Sequence, residues 1–544
     1  MKNPEVKITS LENSGRGVGV LPSGKTMFVE GALPGEVCSV EVISEKARFA
    51  EARAVQILVP SVDRTISLEE YYSQSAGCDL CHMSYELTIQ FKQKKVRDCL
   101  TRIGRFDSVW IDDVLRPIVE STNVTKYRNH MQYFISDLKV GLVRRGSNDL
   151  ASSSRIQLEY DEIETIRSQF ESVLMKYPTR LFSGANIRGS KRSKQFLIEL
   201  VSEDTRDHEL IIRDSKAYLS ATFLVGAIND ALASFAGSVL AGAVLQICNN
   251  KAQKRTRGGK RVVLHGEDFY QEKLFDRSFM VKAGAFFQVN VETAESLYSV
   301  AKESTSNCRT VFDLFCGTGT IGLSLVNPSQ MLYGIDSVPE AIASAKMNAE
   351  SSGITNCKFV CKAVEKVDLS DLPSPDVIIV DPPRKGMDLG FVRRLVELAP
   401  PRIVYISCDP ATMARDLIEL SKAYKIESVT PVDMFPWTNH VETVVQLSKG
   451  SVPTQDVKVK FSMENVCSAQ YLDKPATYEQ IKTYVKEHSG LNVSSLYIAQ
   501  VKQKYGIIER DCYNLPKSEV ARQPKCPEHK EKAIVDALKY FKMI

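Results

Sequence analysis

No stretch of the chain reaches the roughly 18 apolar residues that a membrane span needs. The nearest, residues 218–247, is broken by Asn229, Asp230 and glycine. The amino-terminal Met-Lys-Asn-Pro-Glu-Val-Lys has no apolar core of the kind a signal peptide carries, so neither secretion nor membrane insertion is expected. The 13 cysteines are odd in number and follow no repeating spacing. That argues against a disulfide framework and for a reducing, cytoplasmic setting. A strong charge of either sign is missing too: the net charge is only +4, so contact with nucleic acid has to be argued from local clusters. Nor is there a full set of metal ligands. Cys78-Asp-Leu-Cys81-His82 is a lone Cys-x-x-Cys, and Cys99 falls inside a helical run. A structural zinc or iron–sulfur site needs about four ligands, so no bound metal is expected.

The composition that remains, 43% apolar and 25% charged, is that of ordinary globular domains, and the length suggests about two to four of them. Residues 1–60 read as short strands at 6–9, 17–20, 26–29, 36–44 and 50–58, separated by glycine- and proline-bearing turns. Five such strands make a small barrel. Its seven Lys/Arg balance seven Asp/Glu between Lys2 and Arg53, so on charge alone it is as well read as a cap on the chain. Gly15-Arg-Gly-Val-Gly followed by Val29-Glu-Gly-Ala-Leu-Pro-Gly-Glu resembles the TRAM domain, an OB-like RNA-binding barrel attached to RNA-modifying enzymes. That resemblance favours RNA contact.

Residues 61–285 read as a central α+β domain. It opens with a periodic helical run over 85–103 that bears Lys92, Lys94 and Lys95. Basic clusters are expected in two loops, Asn186-Ile-Arg-Gly-Ser-Lys191-Arg192-Ser-Lys194 and residues 249–261, the latter with six cations in its last eleven residues and no acid. A solvated charge run is the usual reading of such segments, yet glycine and serine beside cations also suit a strip that neutralises phosphates. Neither cluster has an aromatic residue, so phosphate positioning rather than base readout is expected.

Residues 286–450 carry the chemistry. Thr310-Val-Phe-Asp313-Leu-Phe315-Cys-Gly317-Thr-Gly319-Thr320-Ile-Gly322 is a strand, a glycine-rich turn and a helix. The next strand ends in Asp336, 19 residues after Gly317 and well placed for ribose hydroxyls. A nicotinamide enzyme and an S-adenosylmethionine enzyme would both use these parts. Strands near 358–361 and at 376–381 follow, and their alternation with helices implies a doubly wound sheet with its ligand at the carboxyl ends of the strands. Asp381-Pro-Pro-Arg384 departs from the Asp-Pro-Pro-aromatic loop of aminomethyltransferases. Nothing specifies the general acid of a dehydrogenase. Cys408 follows Arg402-Ile-Val-Tyr-Ile-Ser and precedes Asp-Pro, which leaves its thiol at a strand's carboxyl end, either as a small buried hydrophobe or as a nucleophile. Glu442 follows shortly, also expected just after an apolar segment. A thiolate adding to carbon 6 of uracil would make carbon 5 nucleophilic, and a base such as Glu442 would then take the proton left on carbon 5.

Gln288-Val-Asn, Phe312-Asp313-Leu-Phe315-Cys-Gly, Asp381-Pro-Pro-Arg, Tyr405-Ile-Ser-Cys408-Asp-Pro-Ala-Thr-Met-Ala-Arg-Asp and Asp433-Met-Phe-Pro-Trp-Thr-Asn-His-Val-Glu442 together resemble the RNA uracil-5-methyltransferases, in particular the bacterial 23S ribosomal RNA enzymes with an amino-terminal TRAM domain. The likeness covers about residues 1–450. It implies a Rossmann-like α/β domain that moves a methyl group from S-adenosyl-L-methionine to carbon 5 of a uridine in 23S ribosomal RNA. Cys408 would be the nucleophile and Glu442 the base, with Gln288, Phe315, Thr320, Asp336 and Asp381 around the cofactor; Asp381 alternatively orients the uracil. A monomer acting on RNA is expected, with the helical run 85–106 packed on the catalytic domain. The same chemistry on transfer RNA is the alternative substrate reading. A catalytically silent RNA-binding or assembly factor is the alternative of another class, against which the presence of both Cys408 and Glu442 argues.

The chain departs from that family pattern twice. Some relatives hold a four-iron cluster with a Cys-x5-Cys-x2-Cys array and a distant fourth cysteine; here Tyr72 and, approximately, Leu158 stand at two of those positions. No iron–sulfur cluster is therefore expected. The other departure is the extension 451–544, a linker over 452–475 and then helices at 477–488 and 493–505 that resemble a helix-turn-helix, with 15 basic residues against 11 acidic. A small packing module and an RNA contact both fit it.

Overall fold

The computed structural model describes residues 3–21, 23–73, 77–144, 147, 149–151, 157–248, 259–450, 478–505, 526–541 and 543. They belong to two units, 1–454 and 455–544. The basic residues 249–258 and the expected linker lie outside the described residues.

Strands β1 (Glu5–Leu11), β2 (Gly17–Val20), β3 (Thr26–Glu30), β4 (Val37–Glu45) and β5 (Phe49–Val59) close into a barrel of order β1-β2-β3-β5-β4. Alternate residues, among them Val6, Ile8, Met27, Val29, Ala50 and Ala52, fill its interior, as the period of a strand requires. Helices α1 (Leu68–Ser73), α2 (Tyr85–Arg102) and α3 (Ser108–Val114) lead away from it. The Ser84 hydroxyl caps α2 by accepting from the Leu87 N–H at 3.1 Å. Cys78 and Cys81 meet Leu158, Tyr71, Tyr127 and Tyr72 in one apolar cluster. Among the described residues no three His, Cys, Asp or Glu are arranged to hold a metal.

The central domain is built on a six-stranded sheet. Its elements are β6 (His130–Ser136), β7 (Lys139–Gly141), α4 (Asp161–Lys176), β8 (Gly184–Ser190), β9 (Gln195–Ser202), α5 (His208–Thr222), α6 (Leu224–Leu232), β10 (Val239–Ile247) and β11 (Lys260–Gly266), with strand order β11-β10-β9-β8-β6-β7. A hairpin of β12 (Phe269–Leu274) and β13 (Arg277–Lys282) lies beside it. The structure corrects the first basic loop. Residues 186–190 are strand β8, buried throughout; Arg188 gives its guanidinium to the carbonyls of Lys282 and Ala285. Arg192 pairs with Glu295, and Lys194 donates to the Ala236 carbonyl. Arg188 is thus engaged inside the protein and Arg192 is partly buried, while Lys191 and Lys194 are exposed in the turn that follows β8.

The α/β part of this unit contains α7 (Val291–Lys302), β14 (Thr310–Leu314), α8 (Thr320–Leu325), β15 (Met331–Asp336), α9 (Pro339–Ser351), β16 (Cys357–Cys361), β17 (Val377–Val380), α10 (Leu389–Leu398), β18 (Arg402–Ser407), α11 (Pro410–Leu420), β19 (Lys425–Val432) and β20 (Glu442–Ser448). The sheet runs β16-β15-β14-β17-β18-β20-β19. Strands β14 to β18 are parallel, and β20 is antiparallel to both of its neighbours. Strand order reverses beside β14, the place where a doubly wound sheet opens its ligand crevice. The final hairpin corrects one expectation: Glu442 opens a strand instead of following one. Because β20 runs against the others, its first residue still reaches the rim where they end. Helix α2 belongs to this core by packing, with Val96, Cys99 and Leu100 buried among Leu417, Leu420 and Val429.

In the extension, α12 (Tyr478–Ser489), α13 (Ser495–Lys504) and α14 (Glu528–Tyr540) share a core of Ile481, Val485, Ile498, Val501, Ile534 and Leu538. The third helix was not expected, and it makes a three-helix core of what read as a helical pair.

Candidate active site

The turn after β14 is built from left-handed backbone: φ is 64° at Phe315, 54° at Gly317 and 78° at Gly319. For a phenylalanine this costs about 1–3 kcal/mol, and neighbours hold it there. The Cys316 N–H donates to the Ile335 carbonyl at 3.1 Å, and the Phe315 ring meets Phe391 edge-on at 6.1 Å. A Cβ added at Gly317 would meet nothing within 4 Å, so the turn borders open space. At Gly322 the same atom would come within 2.7 Å of the Asp313 carboxylate. That carboxylate accepts from the Gly322 N–H at 2.8 Å through Oδ2, while its buried Oδ1 has no partner. Asp336 accepts from the N–H groups of Gly317 and Val338, each at 2.9 Å. Thr320 is tied back into the turn, its hydroxyl 2.9 Å from that of Thr318.

Asp381 comes directly after β17, where its N–H donates to the Leu314 carbonyl at 3.4 Å. It is therefore beside Phe315 across the strand ends. Gln288 is buried; the Asn129 side chain donates to its carbonyl at 3.0 Å, and its amide meets the buried Tyr298 phenol, which lies close to Asp381, Asp313 and Glu442. Cys408 occupies the single position between β18 and Asp409, the residue that caps α11 by accepting from Ala411 at 2.8 Å and Thr412 at 3.1 Å. Across the β18–β20 ladder Ser407 stands opposite Thr443, so the next residues outward, Cys408 and Glu442, face each other at the rim.

The electrostatics follow from crowding acids with few cations. Burial, then the Glu442 and Asp381 carboxylates, push the Cys408 thiol up to about 12, while Arg384 and a backbone hydrogen bond work the other way. Burial and Asp381 raise Glu442 to about 8. Burial raises Asp381 and Asp313 to about 7 each. His440 is held below its ordinary value by burial and by Arg384, whose guanidinium is 3.3 Å from its Nε2. Three carboxyl groups and a thiol thus share one rim in a form that a cationic ligand would relieve.

This geometry has known counterparts. Residues 244–450 match the family described as tRNA (uracil-5-)-methyltransferase, and residues 3–55 match the TRAM domain. An RNA methyltransferase of Halalkalibacterium halodurans is 32% identical over 469 residues, which is 81% of this chain and 96% of that relative. One of Clostridium acetobutylicum is 31% identical over 457 residues, 82% of this chain and 96% of the relative. The chain belongs to the RNA uracil-5-methyltransferase family. The solved structure of the Pyrococcus abyssi tRNA (uracil-54, C5)-methyltransferase has the same fold, with a TM-score of 0.63 and 23% identity over 82% of this chain and 100% of that one.

In this methyltransferase the ladder and the strand ends gather Cys408, Glu442, Asp381, Phe315 and Asp336 on one rim, with Gln288 reaching it through Tyr298. Thr320 opens α8 directly after Gly319, its hydroxyl shared with that of Thr318. The sequence reading missed Tyr298. Phe286, two residues before Gln288, is 64% exposed.

Proposed function

We propose that this protein transfers the methyl group of S-adenosyl-L-methionine to carbon 5 of a uridine in 23S ribosomal RNA, acting as a cytoplasmic monomer. The observation that carries the reading is the pairing of Cys408 with Glu442 across the β18–β20 ladder, on a rim rich in carboxyls and poor in cations. In this reading residues 1–60 and 61–285 hold RNA, 286–450 carry catalysis, and 451–544 are an extension.

The residues fit the cofactor. Open space at Gly317, the unpartnered Asp313 Oδ1 and the Asp336 carboxylate suit a nucleoside with an attached amino acid. Gln288, Phe315, Thr320, Asp336 and Asp381 would hold it. When bound, S-adenosyl-L-methionine supplies an electrophilic methyl group and the positive charge that the rim lacks. A cation there pulls the carboxyl and thiol values back down, which readies Glu442 as a base and Cys408 as a thiolate. The Cys408 sulfur forms a bond to carbon 6 of the uracil and carbon 5 becomes nucleophilic. Once carbon 5 is methylated, Glu442 takes its remaining proton and the carbon–sulfur bond breaks, releasing the thiolate. Phe286 offers the exposed ring on which the uracil stacks.

RNA carrying 5-fluorouridine tests this directly, because fluorine cannot leave as a proton does. With S-adenosyl-L-methionine a stable protein–RNA adduct should form, and Cys408→Ala should abolish it. No adduct, or one that persists in that variant, means another nucleophile. A second substrate reading, transfer RNA, is favoured by the description of the matched family. Mapping 5-methyluridine in ribosomal and transfer RNA from a deletion strain decides between them: the missing mark identifies the substrate.

A further inference from the structure

The loop 433–441 that delivers Glu442 is held by one face of α2, more than 300 residues earlier in the chain. Lys92 and Asp433 are both fully buried and form an ion pair. The same ammonium donates to the Phe435 carbonyl at 2.8 Å. The Tyr85 hydroxyl donates to the other Asp433 oxygen at 2.9 Å. One turn further along, the Lys95 ammonium donates to the Asn439 carbonyl at 2.7 Å. Tyr85, Lys92 and Lys95 lie within about a quarter turn of one another on the helix, given about 100° per residue. Their contacts grip the loop at its first, third and seventh residues.

A buried ion pair is a poor way to gain stability, since an apolar pair of the same volume often does as well or better. What an ammonium gives and a methyl group does not is direction: Lys92 fixes where the Phe435 carbonyl points and Lys95 the Asn439 carbonyl. Between Asn439, gripped by Lys95, and Glu442 only His440 and Val441 intervene. The backbone of Glu442 is also paired with Val432 of β19, so the grip on the loop sets the approach to the base from one side and the ladder from the other. Cys408 stands on β18 and α11, against whose apolar face α2 also packs, and the cofactor turn on β14 and α8; the hydrogen bonds of the grip go to the loop and to neither of these.

We propose that α2 is the positioning element of the base, with Lys92 as its principal positioning residue and Lys95 as the second. This rests on the reading of Glu442 as the base. Loss of the grip should slow the step that needs Glu442 and spare those that do not.

The full-length protein is assayed with methyl-labelled S-adenosyl-L-methionine and unmodified ribosomal and transfer RNA, following the covalent methylated adduct and the released product separately. Lys92→Met should bind the cofactor about as tightly as the wild type, form the adduct, and release product roughly 10- to 100-fold more slowly, the scale on which a misplaced group slows catalysis. Lys92→Arg should recover part of the rate. Lys95→Met, which leaves no buried charge behind, should shift release in the same direction by less. Equal losses in adduct formation and release, lost cofactor affinity, or normal release would each overturn the proposal. If Lys92→Met does not fold, Lys95→Met decides, and unchanged release there refutes it. Glu442→Gln run alongside separates the two failures. If that variant releases normally, the assignment of the base is wrong; if it traps adduct while the lysine variants do not, only the role of α2 is wrong.

Discussion

Asp433 and Glu442 are buried carboxylates at the two ends of one loop, yet their surroundings are opposite. Asp433 has an ammonium and a phenol directed at it. Glu442 has an acid and a thiol for neighbours, with Arg384 the one opposing cation, and is pushed up to about 8. The first is a carboxylate whose charge the fold has already answered. The second is one whose charge the fold has left for a ligand to answer. Buried charge marks architecture where it is paired and chemistry where it is not.

The largest effect is expected where pairing is broken. Asp433→Ala leaves the Lys92 ammonium buried without a counter-charge and should cost about 3–5 kcal/mol, read as a fall in the denaturant midpoint. A loss below about 1 kcal/mol would erase the contrast. A smaller effect of opposite sense is expected at Glu442. Between its ordinary value of 4.5 and about 8, the folded chain holds a proton that the unfolded chain has released. Stability is therefore lost as pH rises through that window, and Asp313 and Asp381, raised to about 7, add to it. Glu442→Gln should unfold at a higher temperature than the wild type at pH 8.5 and nearly together with it at pH 4.5. Parallel melting profiles would place the strain elsewhere. A smaller difference again should separate two ligands. S-adenosyl-L-methionine should gain affinity between pH 5.5 and 8 by a larger factor than S-adenosylhomocysteine, which lacks the sulfonium charge; equal pH dependence in calorimetry would show that the rim does not read charge. The smallest effect is expected at Cys78 and Cys81. Replacing both by alanine should cost about 1 kcal/mol per site as lost packing and leave turnover unchanged, whereas lost activity would give the thiols a task.

Much of this was legible because it is local. The barrel strands, the β14 turn, Asp336 and the Cys408 position are each written in a run of apolar residues and its punctuation. The rest depends on partners distant in sequence. Lys92 reads as one more lysine on a helix until Asp433 is brought to it, 341 residues away. Arg188 and Arg192 read as a basic loop, because nothing in their own segment shows that the β12–β13 hairpin and the start of α7 will cover them. Glu442 was found through a motif while its strand was overlooked, since Thr443-Val-Val-Gln-Leu is short and a final antiparallel hairpin is not implied by alternating strands and helices.

The grip of α2 on the loop also sets an order of events at synthesis. Chains grow at about 5–20 residues per second, so the 341 residues between Lys92 and Asp433 take roughly 20–70 s to follow. Through that interval the helix waits with its cations unmatched, and β18 waits for β20, the last strand among the described residues. Neither Glu442 nor its support is in place in a partly made chain. On the roles proposed for Cys408 and Glu442, methyl transfer therefore waits until nearly all of the first unit has been translated.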